Sequence, residues 1–197
     1  KIGDAKNAQH YITRAKGWYS KQPWSTSIDF YVSLANFYED IEEFELTIET
    51  SKLILEKLRQ DSAELSAPLQ ITVYNLLSMA YYRLGQNDST YYYTKLCYDF
   101  AKTLEDSSLM TDAANNMAVY YSMVEEDDLM AEKYLREALR AHKAGGDNLD
   151  LTNTLKNLSY TLYYLERYEE AFNTLDSAYV MKDSIVSAMQ VEEIVRL

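Results

Sequence analysis

The 197-residue chain carries only 5 Gly and 2 Pro, where ordinary usage would place roughly 12% of residues in those two types. That shortage excludes dinucleotide fingerprints and phosphate-cradling loops, which need clustered glycines beside a strand, and it argues against barrels and sandwiches with their Gly/Pro-rich turns. A formal charge of −12 lacks the basic footprint that nucleic acid requires.

Apolar residues make up 47% of the chain, enough for a substantial core, and Tyr outnumbers Phe 19 to 5. Each phenol needs water or a hydrogen-bond partner, which suits a thin, surface-rich fold. Helical periodicity runs nearly throughout. In chain order, helices are expected over 4–18, 25–40, 44–60, 67–84, 88–105, 108–124, 128–144, 149–165, 168–182 and 184–197. The first carries the stripe Ala8, Tyr11, Ile12, Ala15, Trp18 and Tyr19. The cations of residues 1–24, Lys1, Lys6, Arg14, Lys16 and Lys21, are scattered and separated by Tyr11 and Trp18 and read as an outer helix face. Breaks are expected at Pro23, Pro68, Gly85, Gly145-Gly146 and short polar turns. Asp147 or Asn148 can cap the helix after the glycine pair.

Self-similarity is the stronger signal. A small residue, followed four and seven places later by a larger and then a small or slim one, recurs as Ala8–Ile12–Ala15, Thr47–Ser51–Ile54, Thr90–Thr94–Cys97, Ala131–Leu135–Ala138 and Ala171–Leu175–Ala178. The anchors are 39, 43, 41 and 40 residues apart. A preceding helix carries a small residue three before an aromatic or Leu: Ala35/Tyr38, Ser78/Tyr81, Ala118/Tyr121 and Ser159/Leu162. Small residues on facing helices let two backbones approach, as a stacked helical hairpin requires.

The stretch Asn157-Leu158-Ser159-Tyr160-Thr161-Leu162-Tyr163-Tyr164-Leu165-Glu166-Arg167-Tyr168-Glu169-Glu170-Ala171 resembles the tetratricopeptide repeat (TPR) family, as does the copy running through Tyr81-Tyr82-Arg83-Leu84-Gly85. The departures are a period above the usual 34, Thr47 and Thr90 at two anchors, and one extra residue between Ala118 and Ala131. HEAT and armadillo repeats have periods nearer 40–47, but the small-residue pairs fit TPR better. The resemblance implies an all-α fold, a right-handed α-α superhelix of about four hairpins plus flanking helices. The expected organisation is a solenoid over 1–183, with the outgoing helix of a truncated repeat at 4–24, hairpins at 25–66, 67–107, 108–148 and 149–183, and a capping or coiled-coil helix beginning at 184–197. The Lys182-Asp183-Ser184-Ile185 entry into that last helix, with Ala188, Val191 and Val195 at helical spacing, resembles the end of TPR sensor modules in bacterial membrane-anchored regulators. That resemblance implies a periplasmic location, with the cytoplasm as the alternative. The chain opens at Lys1 without an initiator Met and reads as an excised segment of a larger protein.

At 100° per residue, residues three before, and one, four and five after, each first-helix small residue point away from the packed face. In a TPR superhelix they line the concave groove. The candidates are Asn36 and Glu39; Asn75, Met79, Tyr82 and Arg83; Asn115 and Val119; and Lys156, Tyr160, Tyr163 and Tyr164. Asn75 and Asn115 share a register, with Asn36 one turn along. Their amides can donate to and accept from a peptide backbone, or they are solvated or bond neighbouring helices. The tyrosines suit an aromatic or apolar ligand end, or they are inter-repeat packing.

Catalytic chemistry is not expected. His10 and His142 have no second ligand at metal spacing, and no strained nucleophile turn is present. The run Glu125-Glu126-Asp127-Asp128 lacks the glycine and alternating ligands of a calcium loop, and Cys97 sits in a small-residue slot. No window approaches the ~18 apolar residues of a membrane span. The expectation is a non-enzymatic module, without cofactor or metal, that binds a peptide or protein segment in its groove and serves as the sensory part of a bacterial signalling or transcription-regulating protein. The alternative is a scaffold whose groove is empty and whose C-terminal helix makes a homodimer of the parent.

Overall fold

The computed structural model describes the backbone over residues 2–61, 66–142 and 148–196, and side chains over 10–59, 66–142 and 150–183. Among the described residues the ordered elements are all helices: α1 (Ile2–Tyr19), α2 (Trp24–Asp40), α3 (Phe44–Asp61), α4 (Ala67–Arg83), α5 (Asn87–Thr103), α6 (Ser107–Met123), α7 (Asp128–Ala141), α8 (Asn148–Tyr164) and α9 (Tyr168–Arg196). The all-α expectation holds, and α2 to α8 begin where the repeat pattern puts them. The C-terminus differs. Instead of two helices meeting at Asp183, α9 runs unbroken from Tyr168 to Arg196. The link Lys182-Asp183-Ser184 contains no Gly or Pro, and the remaining propensity differences are too small to stop a helix. The side chains of Ala188, Val191 and Val195, like the Gly145-Gly146 pair and Asp147, lie outside the described residues.

The chain forms two compact units, residues 1–86 and 87–197. The division falls inside the 67–107 stretch that the sequence pattern treats as one hairpin. In the first unit, α2 and α3 make a hairpin, α4 packs on both, and α1 rests on α2. Tyr19 stacks on Phe30 with ring centroids 4.1 Å apart, and Ser27 donates to the Tyr19 carbonyl at 2.9 Å. In the second unit, α5 packs on α6, the α6/α7 hairpin receives α8, and α8 pairs with α9.

The anchors of α3, α5 and α7 form much of the core of the two units, whereas Ile12 and Ala15 of the first anchor set are only half-buried. Thr47, Ser51 and Ile54 are buried, as are Thr90, Thr94 and Cys97, then Ala131, Leu135 and Ala138. Facing them, Ala35, Ala118 and Ser159 are buried on the first helices. Burying a side chain such as Ile54, Leu77, Leu135 or Leu162 contributes about 1.5–3 kcal/mol each. The threonines at anchor positions satisfy their hydroxyls locally: Thr47 donates to the Glu43 carbonyl and Thr94 to the Thr90 carbonyl at 2.8 Å.

One turn geometry recurs. Glu42, Gly85 and Glu166 adopt φ of 61°, 68° and 60°. In each case the following N–H reaches back to a carbonyl five residues earlier: Glu43 to Tyr38, Gln86 to Tyr81 and Arg167 to Leu162. These are Schellman caps, which satisfy orphan carbonyls at a helix end. The turn between α6 and α7 holds the extra residue expected there. Glu126 takes the positive φ of 54°, and the Asp127 N–H bonds the Tyr121 carbonyl at 2.9 Å. The acidic run in this turn has structural duties. Asp127 caps α7 by accepting from the Met130 N–H at 2.9 Å, and Glu125 accepts from the Tyr120 hydroxyl.

Candidate functional site

The surface selected by the repeat register lies on α2 and α4 in the first unit, and on α6 and α8 in the second. On α2, α4 and α8 the positions one before and three after the small residue are buried: Leu34 and Tyr38, Leu77 and Tyr81, and Leu158 and Leu162. The positions one, four and five after it therefore turn outward. Met79 is 46% exposed, Tyr82 38%, Val119 41%, Tyr160 60%, Tyr163 59% and Tyr164 67%. Asn36 and Arg83 are exposed, and Glu39, Asn75, Asn115 and Lys156 are half-buried. Val32, which points the same way by register, is instead buried.

The asparagines are already engaged. Asn36 donates through Nδ2 to the Val32 carbonyl of its own helix at 2.9 Å. Asn115 donates to Thr154 Oγ1 on α8 at 2.7 Å, and the Thr154 hydroxyl in turn donates to the Asp150 carbonyl. The Asn115 Oδ1 is buried with no hydrogen-bond partner. Of the uses open to an Asn at these positions, Asn115 thus makes the helix–helix bond. Arg83 is likewise committed: its Nη2 donates to Glu42 Oε1 at 3.0 Å, and the guanidinium lies 4.8 Å from the centre of the Phe44 ring. Lys156 reaches toward the Tyr179 ring of α9, 5.9 Å from its centroid.

On the second unit the exposed tyrosines converge with residues that the repeat register did not single out. Tyr160, Tyr163, Tyr164, Tyr168 and Phe172 line a groove of about 520 Å³ along the α8/α9 hairpin. Ser159, Ala171 and Leu175 complete its lining, which carries no charged side chain. Tyr163 meets Tyr168 edge-on at 5.4 Å. Tyr168 and Phe172 lie on the second helix of the hairpin, outside the first-helix register. In the sequence they are marked by an aromatic directly after the Ala171 anchor.

Next to the groove, an ion-pair cluster ties α7 to α9. The Glu132 side chain is only 12% exposed and accepts from Arg136 Nε at 2.7 Å and Arg167 Nη1 at 2.8 Å. Arg136 also bonds Glu170 at 2.6 Å, and Arg136 and Arg167 together hold the Glu170 carboxyl below the usual carboxylate range.

Several tyrosines away from this surface are locked inside the stack. Tyr98 donates to Glu137 at 2.7 Å and packs edge-on against Tyr134. Burial, then the bond to Glu137, raises its pKa well above the ordinary tyrosine value. Tyr120 is raised in the same way by burial and its bond to Glu125. Tyr121 is pushed up to about 12 by burial and then by neighbouring Tyr134. Burial also pushes the Cys97 thiol up to about 12, so at neutral pH it remains a protonated, inert core group. Among the described residues no group of His, Cys, Asp and Glu could hold a metal ion. No described helix is long and apolar enough to cross a membrane.

Helical hairpins closed by small-residue contacts and stacked side by side define a helical-repeat protein. No protein-family model matches the chain, and no curated protein does. Among solved structures it is similar to the crystal structure of BtubC (BKLC) from P. vanneervenii, with a TM-score of 0.74 over 92% of this chain and 77% of that one. The sequence identity is 21%, and the likeness is one of fold.

Proposed function

We propose that the chain is a TPR-type, non-enzymatic binding module that holds a peptide or protein segment against the outward face of its first helices. The observation that carries this reading is the exposure of large apolar side chains at one repeated register: Met79 and Tyr82 on α4, Val119 on α6, and Tyr160, Tyr163 and Tyr164 on α8. Exposed apolar residues that recur by register, rather than singly, mark interaction surfaces, and tyrosine supplies large contacts at low entropic cost. Because the Asn36 and Asn115 amides bond within the protein, the apolar contacts dominate the grip and the asparagines position their helices.

The test is a spatially addressed array of random dodecapeptides probed with the whole chain. Selected peptides should lose at least tenfold in affinity when Met79→Glu and Tyr82→Ala are combined, with an unchanged melting curve. Peptides that bind the variant equally well would refute the first-helix reading.

The sensory role in a larger bacterial signalling or transcription-regulating protein, on the periplasmic side of a membrane, is part of the same proposal. It draws support from α9, an unbroken helix through the Lys182-Asp183-Ser184-Ile185 entry. The same helix supports the scaffold alternative, in which α9 pairs two copies of the parent. Sedimentation of the chain alone and of a C-terminally extended form separates the two, since a scaffold dimerises when extended and yields no peptide hits.

A further inference from the structure

A cavity of about 400 Å³ lies in the first unit, at the turn that joins α1 to α2. That volume falls in the roughly 300–1,000 Å³ range of small-molecule sites. The turn is tight, since the Lys21 and Gln22 N–H groups donate back to the Trp18 and Tyr19 carbonyls. Because α2 and α3 form a hairpin, the start of α2 lies beside the end of α3, and Trp24 and Tyr31 share the lining with Leu53 and Lys57. The walls are aromatic and fixed. Trp24 stacks on Tyr31 with ring centroids 5.3 Å apart and planes 29° from parallel. Tyr19, which also lines the cavity, is held by its stack on Phe30 and by the bond its carbonyl accepts from Ser27.

Two polar features of the lining specify what can enter. Lys57 supplies its charge, and no carboxylate lines the cavity, although the chain as a whole has a net charge of −12. The indole Nε1–H of Trp24 is buried and has no hydrogen-bond partner among the described residues. Indole only donates, and a buried donor left unmatched carries a desolvation cost that an incoming acceptor removes. We infer that this cavity binds a small aromatic carboxylate, its ring packed among Tyr19, Trp24, Tyr31 and Leu53 and its carboxylate held by Lys57 and the Trp24 indole N–H. A cationic ligand would favour the same rings but would meet the Lys57 ammonium. A neutral sugar would leave that charge unused. None of these residues belongs to the outward register of Met79, Tyr82 and Tyr160, so the site stands apart from the first-helix surface.

Phenylpropionate, its neutral amide phenylpropionamide, and butyrate form a matched set of probes. The chain has two tryptophans, Trp18 and Trp24, so Trp18→Phe assigns the Trp24 indole signal in proton–nitrogen correlation spectra of the whole chain. Phenylpropionate should move that signal saturably, with a dissociation constant at least tenfold lower than that of the amide or of butyrate. Lys57→Met should abolish the preference for the acid over its amide while leaving amide binding unchanged, an effect that loosened packing would not produce. Equal binding of the amide or of butyrate overturns the inference, as does the absence of any saturable shift at Trp24. So does tighter binding of phenylpropylamine, which would make the aromatic walls a cation site. Should Lys57→Met melt early, the comparison of the acid with its amide on the unaltered chain still decides. The tripeptide Ala-Ala-Phe presents the same ring and carboxylate at a chain end: tighter binding than phenylpropionate names a peptide C-terminus as the source, weaker binding a free acid. Failure of these titrations leaves the Met79/Tyr82 peptide result unaffected, so the two readings fail separately.

Discussion

Ser159 Oγ on α8 donates to the Ala171 carbonyl on α9 across 2.8 Å, fully inside the hairpin. The bond is available because both side chains are small enough for the two backbones to meet. The same helix pair carries the exposed tyrosines on its outer side, so this contact sets the geometry of the candidate surface. Ser159→Ala keeps the approach and should cost no more than about 1 kcal/mol. Ser159→Leu must push the helices apart and should cost about 1–3 kcal/mol. Urea unfolding of the two variants measures the difference, and equal midpoints would show that the approach is not tightly packed.

Glu166 holds a φ of 60° at an exposed Schellman turn, where an L side chain costs roughly 1 kcal/mol relative to Gly. Gly85 already occupies the matching position after α4. Glu166→Gly should therefore raise the melting temperature, by about 2–4 °C per kcal/mol for a chain of this size. A lowered melting temperature by calorimetry would contradict the strain argument.

Thr154 links two helices of the second unit by accepting from Asn115 while donating to its own backbone. Thr154→Val preserves shape and removes the acceptor, leaving the Asn115 amide without its bond as well as its Oδ1. A cost of about 1–3 kcal/mol is expected. Combining it with Asn115→Leu, which removes the stranded group, should recover part of that loss in a double-mutant cycle.

Tyrosines with raised pKa values make stability depend on alkaline pH. Tyr98, Tyr120 and Tyr121 have folded pKa values raised by burial, above the ordinary value of about 10. Below about pH 10 both states hold these protons and the contribution is complete. Above it the unfolded chain releases them first, so stability falls as pH rises. Chemical denaturation between pH 8 and 11.5 should show a flat region and then a decline, and Tyr98→Phe should make that decline shallower. At the acid end Glu170, whose folded pKa is lowered by its two arginines, contributes above the unfolded carboxylate value and is lost as pH falls through the folded one.

Cys97 is buried and its thiol is pushed up to about 12. The native protein should therefore react with a thiol reagent such as dithionitrobenzoate only through unfolding. The rate should follow the unfolded population across a urea series. Fast labelling without denaturant would mean that α5 opens locally.

The sequence alone determined the class of the fold, the pairing of small residues such as Ala118 and Ala131, and the extra residue in the α6/α7 turn. Those features are local or periodic: a helix buries one face every 3.6 residues, and the small positions must recur wherever two helices touch. It also pointed to outward-facing first-helix positions, of which Met79, Val119 and Tyr160 are exposed while Val32 is buried. What it left open was which side chains those positions find as partners. Whether Asn115 faces solvent or Thr154, and whether Arg83 stays free or joins Glu42 and Phe44, depend on groups 39 or more residues away. The groove at Tyr168 and Phe172 is the sharpest case. The sequence shows an aromatic after an anchor in that repeat, but only the tertiary structure shows that Tyr168 and Phe172 are exposed among the described residues, because burial is a property of what packs against a residue and not of the residue itself.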